Sequence, residues 1–304
     1  MDPLGTVKLA LLQMNSGQDP QQNLERCLAL VERAAKQGGR IIALPELFRL
    51  PYFWRSVDYA HFDLGEPIPG PTTEALSKAA AALQVVVAAP IFERRAAGVF
   101  HNSTAVIDAD GGLLGVYRQM HISIEPHCKG GFYFSPGDLG FKSFQTRYAR
   151  IGVLIGWDQW YPEAARIAAL AGAQILLCPS AQWHPSGAGE PDSRRLYAAW
   201  ETMNRSHAIA NNVFLGAVNR AGREDSSGTL QDAPVFWGRS FIADPAGKMR
   251  AQGTAEGEEI VMAECDLGEV DVWRTHWPFM RDRRLDAYAN ITRHSIEPDR
   301  PLRK

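Results

Sequence analysis

The fold of this chain is decided by the stretch Arg150-Ile151-Gly152-Val153-Leu154-Ile155-Gly156-Trp157-Asp158-Gln159-Trp160-Tyr161-Pro162-Glu163-Ala164-Ala165-Arg166. Residues 151–155 form a short aliphatic run typical of a strand that is buried on both faces. Residues 162–171 predict an alanine-rich helix that opens on a proline. A tight elbow joins the two. Such elbows project one side chain over the end of a sheet beside backbone amides and often carry a nucleophile, but here that place is Gly156.

Buried strands alternate with helices on both sides of the elbow. Strands are predicted at residues 7–14, 40–44, 85–90, 103–107, 113–117, 175–178 and 213–218. Helices are predicted at residues 21–37, 74–83 and 200–211. This order indicates an α/β protein in which helices cover sheets.

The composition excludes several classes of function. The 304 residues carry a formal net charge of -2 without long runs of like charge. Nucleic acid and anionic membranes are therefore not expected as partners, and a small-molecule substrate is favoured. No apolar stretch reaches the roughly 18 residues that a membrane-spanning helix needs. We expect a cytoplasmic protein with a single domain over residues 1–304, because no linker or repeat divides the chain.

The cysteines predict neither a metal site nor a disulfide framework. They are scattered without CxxC spacing, at Cys27, Cys128, Cys178 and Cys265. No other cluster of metal-ligating residue types stands out, so the sequence predicts no metal and no cofactor.

Glu46 is the first candidate for catalysis. The strand predicted at residues 40–44 runs directly into Pro45-Glu46, which places this carboxyl group at a strand end. Open α/β sheets collect their chemistry at such ends. A loop glutamate or a helix cap would show the same pattern, so spacing alone leaves both interpretations open.

The elbow resembles that of the nitrilase, or carbon–nitrogen hydrolase, superfamily, and within it the N-carbamoylputrescine amidase group. The Trp-Asp-Gln-Trp run at residues 157–160 and the Pro-Glu-Ala-Ala-Arg run at residues 162–166 carry the resemblance, which extends over residues 7–286. It implies a four-layer αββα sandwich, a small, amine-bearing or amide-like substrate, and a homo-oligomer. It also implies a C-terminal tail, about residues 285–304, that crosses to a neighbouring subunit.

Three positions depart from the pattern that the resemblance implies. Gly156 stands where the family has its nucleophilic cysteine, Gln119 where it has a lysine, and Gly130 where it has a second glutamate. Glu46 matches the general base, and the backbone amide of Trp157 matches a donor to the oxyanion. The resemblance therefore implies that one acid–base group remains while the thiol is lost.

The resemblance also implies which side chains surround the substrate. The predicted pocket residues are His121, Cys128, Phe132, Trp157, Asp158, Trp183, Trp237 and Arg239. Asp158 also fits a purely structural role. Cys128, between His127 and Lys129, is either a replacement nucleophile or part of an ordinary surface loop.

The sequence does not decide whether the substrate carries a positive or a negative charge. Trp183 and Trp237 offer faces for a cation, and Glu190 or Asp192 offers a carboxylate for an amine. Arg239 favours a carboxylate instead.

Three functions fit these observations. The first, which we favour, is a diverged enzyme that acts at a C–N bond by condensation, cyclisation, elimination or water attack, with Glu46 as general acid/base. The second is an amidohydrolase of the N-carbamoylputrescine amidase type that was deliberately inactivated. The third is a non-catalytic ligand-binding or oligomerising pseudoenzyme.

Overall fold

The structure is a computed structural model that describes residues 5–124, 128–185, 190–224 and 234–296, with backbone only at residues 185 and 190–192. The first six-stranded sheet contains β1 (Thr6–Gln13), β2 (Ile41–Ala43), β3 (Val86–Ala96), β4 (Val99–Ile107), β5 (Leu113–Arg118) and β15 (Glu259–Asp266). Its spatial order is β15-β1-β2-β3-β4-β5. The strands β1, β2 and β3 are parallel, and the other pairs are antiparallel.

The second six-stranded sheet contains β6 (Ser143–Gln145), β7 (Arg150–Val153), β8 (Ile175–Ser180), β10 (Phe214–Asn219), β13 (Phe241–Ala243) and β14 (Met249–Gln252). Its spatial order is β14-β13-β10-β8-β7-β6. A small third sheet, in the order β11-β12-β9, is built from β9 (Trp183–Pro185), β11 (Ala221–Arg223) and β12 (Pro234–Trp237).

Helices cover the outer faces of the two large sheets. The helices α1 (Pro20–Lys36) and α2 (Pro71–Leu83) pack on the first sheet, and α4 (Pro162–Leu170) and α5 (Glu190–Asn211) on the second. Two further helices are α3 (Gly130–Tyr133) and α6 (Gly268–His276). Short 3₁₀ helices span Phe53–Arg55, Tyr59–Leu64, Gly156–Trp160, Leu285–Ala287 and Ala289–Thr292.

The inner faces of the two sheets pack against each other to form the central core. In β1, Leu9 and Leu11 point to the opposite sheet, while Ala10 and Leu12 face the helices, as the two-residue period of a strand requires. The sheets approach closely at Gly216, because a Cβ atom there would lie 2.8 Å from a methyl carbon of Leu11. The predicted four-layer αββα sandwich is confirmed.

Most predicted elements are present, with shifted ends. The strand predicted at residues 85–90 continues to Ala96, because antiparallel pairing with β4 carries it past the end of its apolar run. The helix predicted to begin at Trp200 begins at Glu190, so Asp192 lies in a helix. Within the described residues, no helix is both long enough and apolar enough to cross a membrane.

Candidate active site

A cavity of about 550 Å³ opens where strands of both large sheets end. Glu46 follows β2, Gln119 follows β5 and Gly156 follows β7, so one residue after each of three strands reaches the same space. β2 and β5 run in the same direction within the first sheet, so Glu46 and Gln119 meet at one edge of it. β7 belongs to the second sheet, and the packing of the two sheets brings Gly156 beside them. The remaining wall residues include Tyr52, Trp54, Cys128, Phe134, Trp157, Trp160, Gln182, Trp183, Arg195 and Trp237.

The carboxyl group of Glu46 lies at the base of this cavity and is only 6% exposed. Burial raises the pKa of Glu46 from its ordinary 4.5 to about 7. Hydrogen bonds from the Asn102 side chain and the Ala181 backbone, together with the charge of Arg220, limit this rise in pKa. The group can therefore both accept and donate a proton near neutral pH.

A buried ion pair between Arg220 and Glu224 fixes the backbone at Glu46. The guanidinium of Arg220 donates to the carbonyl oxygens of Glu46, at 2.9 and 3.0 Å, and of Leu47, at 2.8 Å. The same guanidinium donates to both carboxylate oxygens of Glu224, at 2.7 and 2.9 Å. Glu224 in turn accepts from the amides of Ser16 and Tyr52. We call Arg220 and Glu224 the loop clamp.

Gly156 lies directly beneath the Glu46 carboxyl group. Its φ of +48° is in the left-handed region, which glycine adopts at little cost. A Cβ atom at this position would lie 2.7 and 2.9 Å from the two carboxyl oxygens of Glu46 and 3.1 Å from Nε2 of Gln119. The carboxyl group thus occupies the space that a side chain at residue 156 would enter.

Asn102, which no sequence motif marked as a site residue, joins Glu46 to Gln119. Its Nδ2 donates to Oε1 of Glu46 at 2.7 Å and to Oε1 of Gln119 at 3.1 Å. Gln119 donates its own Nε2 to the carbonyl of Ile155 at 3.1 Å. The sequence contains a signal for this residue, because four consecutive polar residues, 101–104, interrupt the apolar strand β4. In the structure all four side chains are buried.

Asp158 and His121 do not line the cavity. Asp158 is fully buried and accepts hydrogen bonds from the Tyr117 hydroxyl, at 2.6 Å, and from the His121 amide, at 2.9 Å. The Nδ1 atom of His121 lies 2.8 Å from the same carboxylate, and its ring stacks on Tyr161 with centroids 3.7 Å apart. The structure places both residues behind Gln119, where they fix the segment that follows β5.

Phe132 and Arg239 also point away from this cavity. Phe132 packs its ring against Tyr59 and Phe62, and Phe134, two residues further on, faces the cavity instead. Arg239 lies over the ring of Tyr197, 4.7 Å from its centroid, and lines a neighbouring cavity of about 680 Å³. Trp237 separates the two spaces and contributes to both walls.

The other four predicted pocket residues, Cys128, Trp157, Trp183 and Trp237, line the cavity with Glu46. Gly130 lines it as well, and a Cβ atom there would lie 2.8 Å from the carbonyl oxygen of Ser123. His127 lies outside the described residues, as do the side chains of Glu190 and Asp192.

Tyr52, Trp54 and Arg195 belong to the cavity wall but were not predicted. Tyr52 accepts a hydrogen bond from Nε1 of Trp183 at 3.0 Å, which ties the loop after β2 to β9. Their positions depend on how distant segments pack, and no local pattern marks them. Among the described residues, no group of three or more His, Cys, Asp or Glu side chains could hold a metal ion.

Known proteins resemble this chain over most of its length. The family model for carbon–nitrogen hydrolases matches residues 8–275. The chain is 39% identical to the N-carbamoylputrescine amidase of Oryza sativa subsp. japonica over 284 residues, which cover 93% of each protein. It is 36% identical to the citrullinase of Francisella tularensis subsp. tularensis over 291 residues, which cover 95% of this chain and 99% of that protein.

A solved structure shows the same arrangement in three dimensions. The carbon–nitrogen hydrolase from Helicobacter pylori G27 superposes with a TM-score of 0.92 at 40% sequence identity. The superposition covers 96% of this chain and 100% of that chain.

Proposed function

The chain belongs to the carbon–nitrogen hydrolase family, and we propose that it acts on a C–N bond of a small amide- or carbamoyl-bearing molecule without a thiol at residue 156. Glu46 serves as the general acid/base. The observation that carries this proposal is a buried carboxyl group with a pKa of about 7 at the base of an aromatic-walled cavity. Perturbed carboxyl groups in clefts are strong candidates for acid–base chemistry.

Water attack is the reaction that these groups support best. The Glu46 carboxylate takes a proton from a water molecule while the water oxygen attacks the carbonyl carbon of the substrate. The tetrahedral intermediate then expels the nitrogen, to which Glu46 returns the proton. An amide gives a carboxylic acid and an amine, so atoms and protons balance and no covalent enzyme intermediate forms.

Neutral donors stabilise the oxyanion in this proposal. The Nε2 group of Gln119 carries one N–H beyond the one that it donates to Ile155, and Gln119 faces the cavity. The backbone amide of Trp157 is the second donor. Because both are neutral, the stabilisation is weaker than a lysine ammonium would supply, and we expect slow turnover.

Replacing Glu46 by glutamine tests the proposal. We expect the Glu46→Gln variant to lose about 10²- to 10⁴-fold in kcat, measured as release of ammonia or amine from a panel of amides and carbamoyl compounds. In the wild type, kcat/KM should rise as the pH passes about 7, because the carboxylate is the reactive form. The exposed Glu32, replaced by glutamine, is the matched control and should leave both quantities unchanged.

Two results would contradict this function. Turnover that survives Glu46→Gln would remove Glu46 from the reaction. Tight ligand binding with no turnover of any panel member would favour the non-catalytic pseudoenzyme.

The deliberately inactivated amidohydrolase has its own test. A Gly156→Cys/Gln119→Lys double variant would restore fast hydrolysis if that alternative were correct. The contact distances at Gly156 mean that the Glu46 carboxyl group must first move away from the new side chain.

We also propose that the chain forms a homo-oligomer through its C-terminal segment. This segment comprises residues 285–304, and the residues just before it pack on the rest of the protomer, where Arg166 donates to the sulfur of Met280 at 2.8 Å. Within the segment, large apolar side chains are exposed, with Leu285 at 67%, Ile291 at 63% and Ile296 at 65%. Apolar groups that are exposed together in this way are typical of a protein–protein contact.

A further inference from the structure

The charges on the cavity wall indicate which substrates it accepts. Among the described residues that line the cavity, Glu46 and Arg195 are the only two that carry a formal charge. Glu46 is committed to the reacting group under the function proposed above, on which this inference rests. We propose that the substrate carries a carboxylate at the end away from its reacting C–N bond, and that Arg195 binds this carboxylate.

Helix α5 presents Arg195 from a fixed position. Arg195, Leu196 and Ala199 form the face of α5 that lines the cavity. The helix is anchored further along, where Trp200 donates its Nε1 to the side chain of Gln159 at 3.0 Å and His207 Nε2 lies 2.7 Å from the Gln159 carbonyl oxygen. Because Gln159 belongs to the elbow, these bonds fix the backbone of α5, from which Arg195 extends, relative to the reacting end of the cavity.

Arginine side chains outnumber carboxylates among the described residues that line the two neighbouring cavities. The guanidinium of Arg55 lies over the ring of Trp183, 5.2 Å from its centroid, so a protein cation covers one face of this ring. Arg194, Arg223 and Arg239 line the neighbouring cavity beyond Trp237, and Glu256 is the one carboxylate among its described wall residues. This positive field favours an anionic end of the substrate over an ammonium.

A guanidinium suits a carboxylate for geometric reasons as well. Its parallel N–H groups match the two carboxylate oxygens, and because solvent screens the exposed Arg195, we count the pair of charge-assisted hydrogen bonds as about 1.5–3 kcal/mol in total. We therefore expect a substrate with a terminal carboxylate to bind about 10- to 150-fold more tightly than a neutral molecule of the same shape.

Three matched ureas test this inference. The compounds 4-ureidobutanoate, N-butylurea and (3-aminopropyl)urea share a carbamoyl group and three methylenes, and they end in a carboxylate, a methyl group and an ammonium. Their dissociation constants are measured by calorimetry on the Glu46→Gln variant, in which turnover does not interfere. We expect 4-ureidobutanoate to bind at least about 10-fold more tightly than either of the others.

Three substitutions at two positions of α5 separate a direct contact between Arg195 and the carboxylate from a general effect of the positive charges. Arg195→Gln should abolish the preference for the carboxylate, and Arg195→Glu should shift it toward the ammonium compound. Arg194→Gln removes the same charge one residue earlier, on the wall of the neighbouring cavity, and should retain the preference. Arg195 is exposed, so its replacement should leave the fold intact, which a thermal unfolding curve checks.

Equal binding of the three ureas, no binding of any, or tightest binding of the ammonium compound would overturn the assignment of a carboxylate substrate. Glu46-dependent turnover would still support the proposed function in each of these cases. Conversely, selective binding of 4-ureidobutanoate with no turnover of any urea or amide by the wild type would retain the Arg195 site and overturn the hydrolytic function.

Discussion

The burial of Glu46 has two opposing effects. It lowers the stability of the folded protein, and it raises the pKa of the carboxyl group to about 7, where the group can carry a proton. The cost of burial is the loss of solvation of the charged form, and only Asn102, Arg220 and the Ala181 amide offset it. A polar group kept at such a cost, in a cavity large enough for a ligand, is better explained by function than by folding.

The raised pKa of Glu46 predicts how stability depends on pH. The folded carboxyl group ionises near pH 7, whereas in the unfolded chain it ionises near its ordinary 4.5. The stability that the neutral form supplies is fully present below pH 4.5 and is lost as the pH rises through 7. Relative to wild type, Glu46→Gln should therefore gain up to about 3 kcal/mol in free energy of unfolding between pH 5 and pH 8. Urea titrations at both pH values measure this gain.

The exposed Glu32→Gln variant should show no such change between the two pH values. An equally flat result for Glu46→Gln would mean that Glu46 ionises normally in the folded protein. The acid–base assignment would then lose its physical basis.

Position 156 tolerates no side chain without rearrangement. Gly156→Ala should destabilise the protein by about 1–2 kcal/mol from its left-handed φ and by about 1–3 kcal/mol more from displacing Glu46. Gly140→Ala is the matched control, because Gly140 has a φ of +69° but nothing within 4 Å of its Cβ position. Denaturant unfolding of both variants measures the difference. Equal losses would show that the Glu46 carboxyl group does not occupy the space above Gly156.

At the scale of elements, the cavity depends on loops that distant parts of the chain hold in place. The turn after β2 carries Glu46, and the loop clamp that fixes this turn lies between β10 and β12. Leu47 adopts a φ of +46° within the turn, a conformation that a leucine adopts only when its surroundings enforce it. The clamp supplies that enforcement through three hydrogen bonds to backbone carbonyls.

Breaking the clamp should damage both stability and turnover. Arg220→Gln leaves the buried Glu224 carboxylate without its partner, and we expect a loss of about 3–5 kcal/mol in free energy of unfolding. Turnover should also fall, because the backbone at Glu46 loses its hydrogen bonds. The exposed pair of Arg281 and Asp282 is the control, and Arg281→Gln should produce no measurable change. A loss for Arg220→Gln no larger than that of the control would contradict the role of the clamp.

At the scale of the whole molecule, the two sheets and their helices bury the core, whereas the C-terminal segment is exposed as far as the structure describes it, through Ile296. Its described residues, 285–296, lie on the surface and include large apolar side chains. An association of protomers through these side chains would remove them from water, and the hydrophobic effect would then stabilise it.

Shortening the chain after Arg284 tests this association. We expect the full-length protein to have an oligomeric mass by size exclusion with light scattering, and the shortened chain to have a smaller one. A full-length variant with Leu285→Gln, Ile291→Gln and Ile296→Gln separates loss of apolar contacts from loss of the chain itself. A monomeric full-length protein, or unchanged masses in both variants, would disprove the role of this segment.

Local sequence patterns determined most strands and helices of this protein and the place of its candidate site, whereas the four-layer arrangement was implied by the family resemblance. Strand and helix periods depend on burial along one segment, so the elbow at Gly156 and the strand end at Glu46 could be recognised without knowledge of their neighbours. The resemblance added Gln119 to the same set. Each of these three residues lies within three positions of the end of a strand, and the structure brings them together.

Only the tertiary structure decided which side chains complete the cavity. Arg220 holds a carbonyl that is 174 positions away in the chain, and Asn102 reaches Glu46 across 56 positions. One turn of α3 points Phe134 rather than Phe132 at the cavity, and the packing of α5 brings Arg195 to its wall. The periodicity of a segment predicts whether a residue is buried. It does not predict which residues pack against it, because contacts between distant segments depend on how the sheets and helices pack.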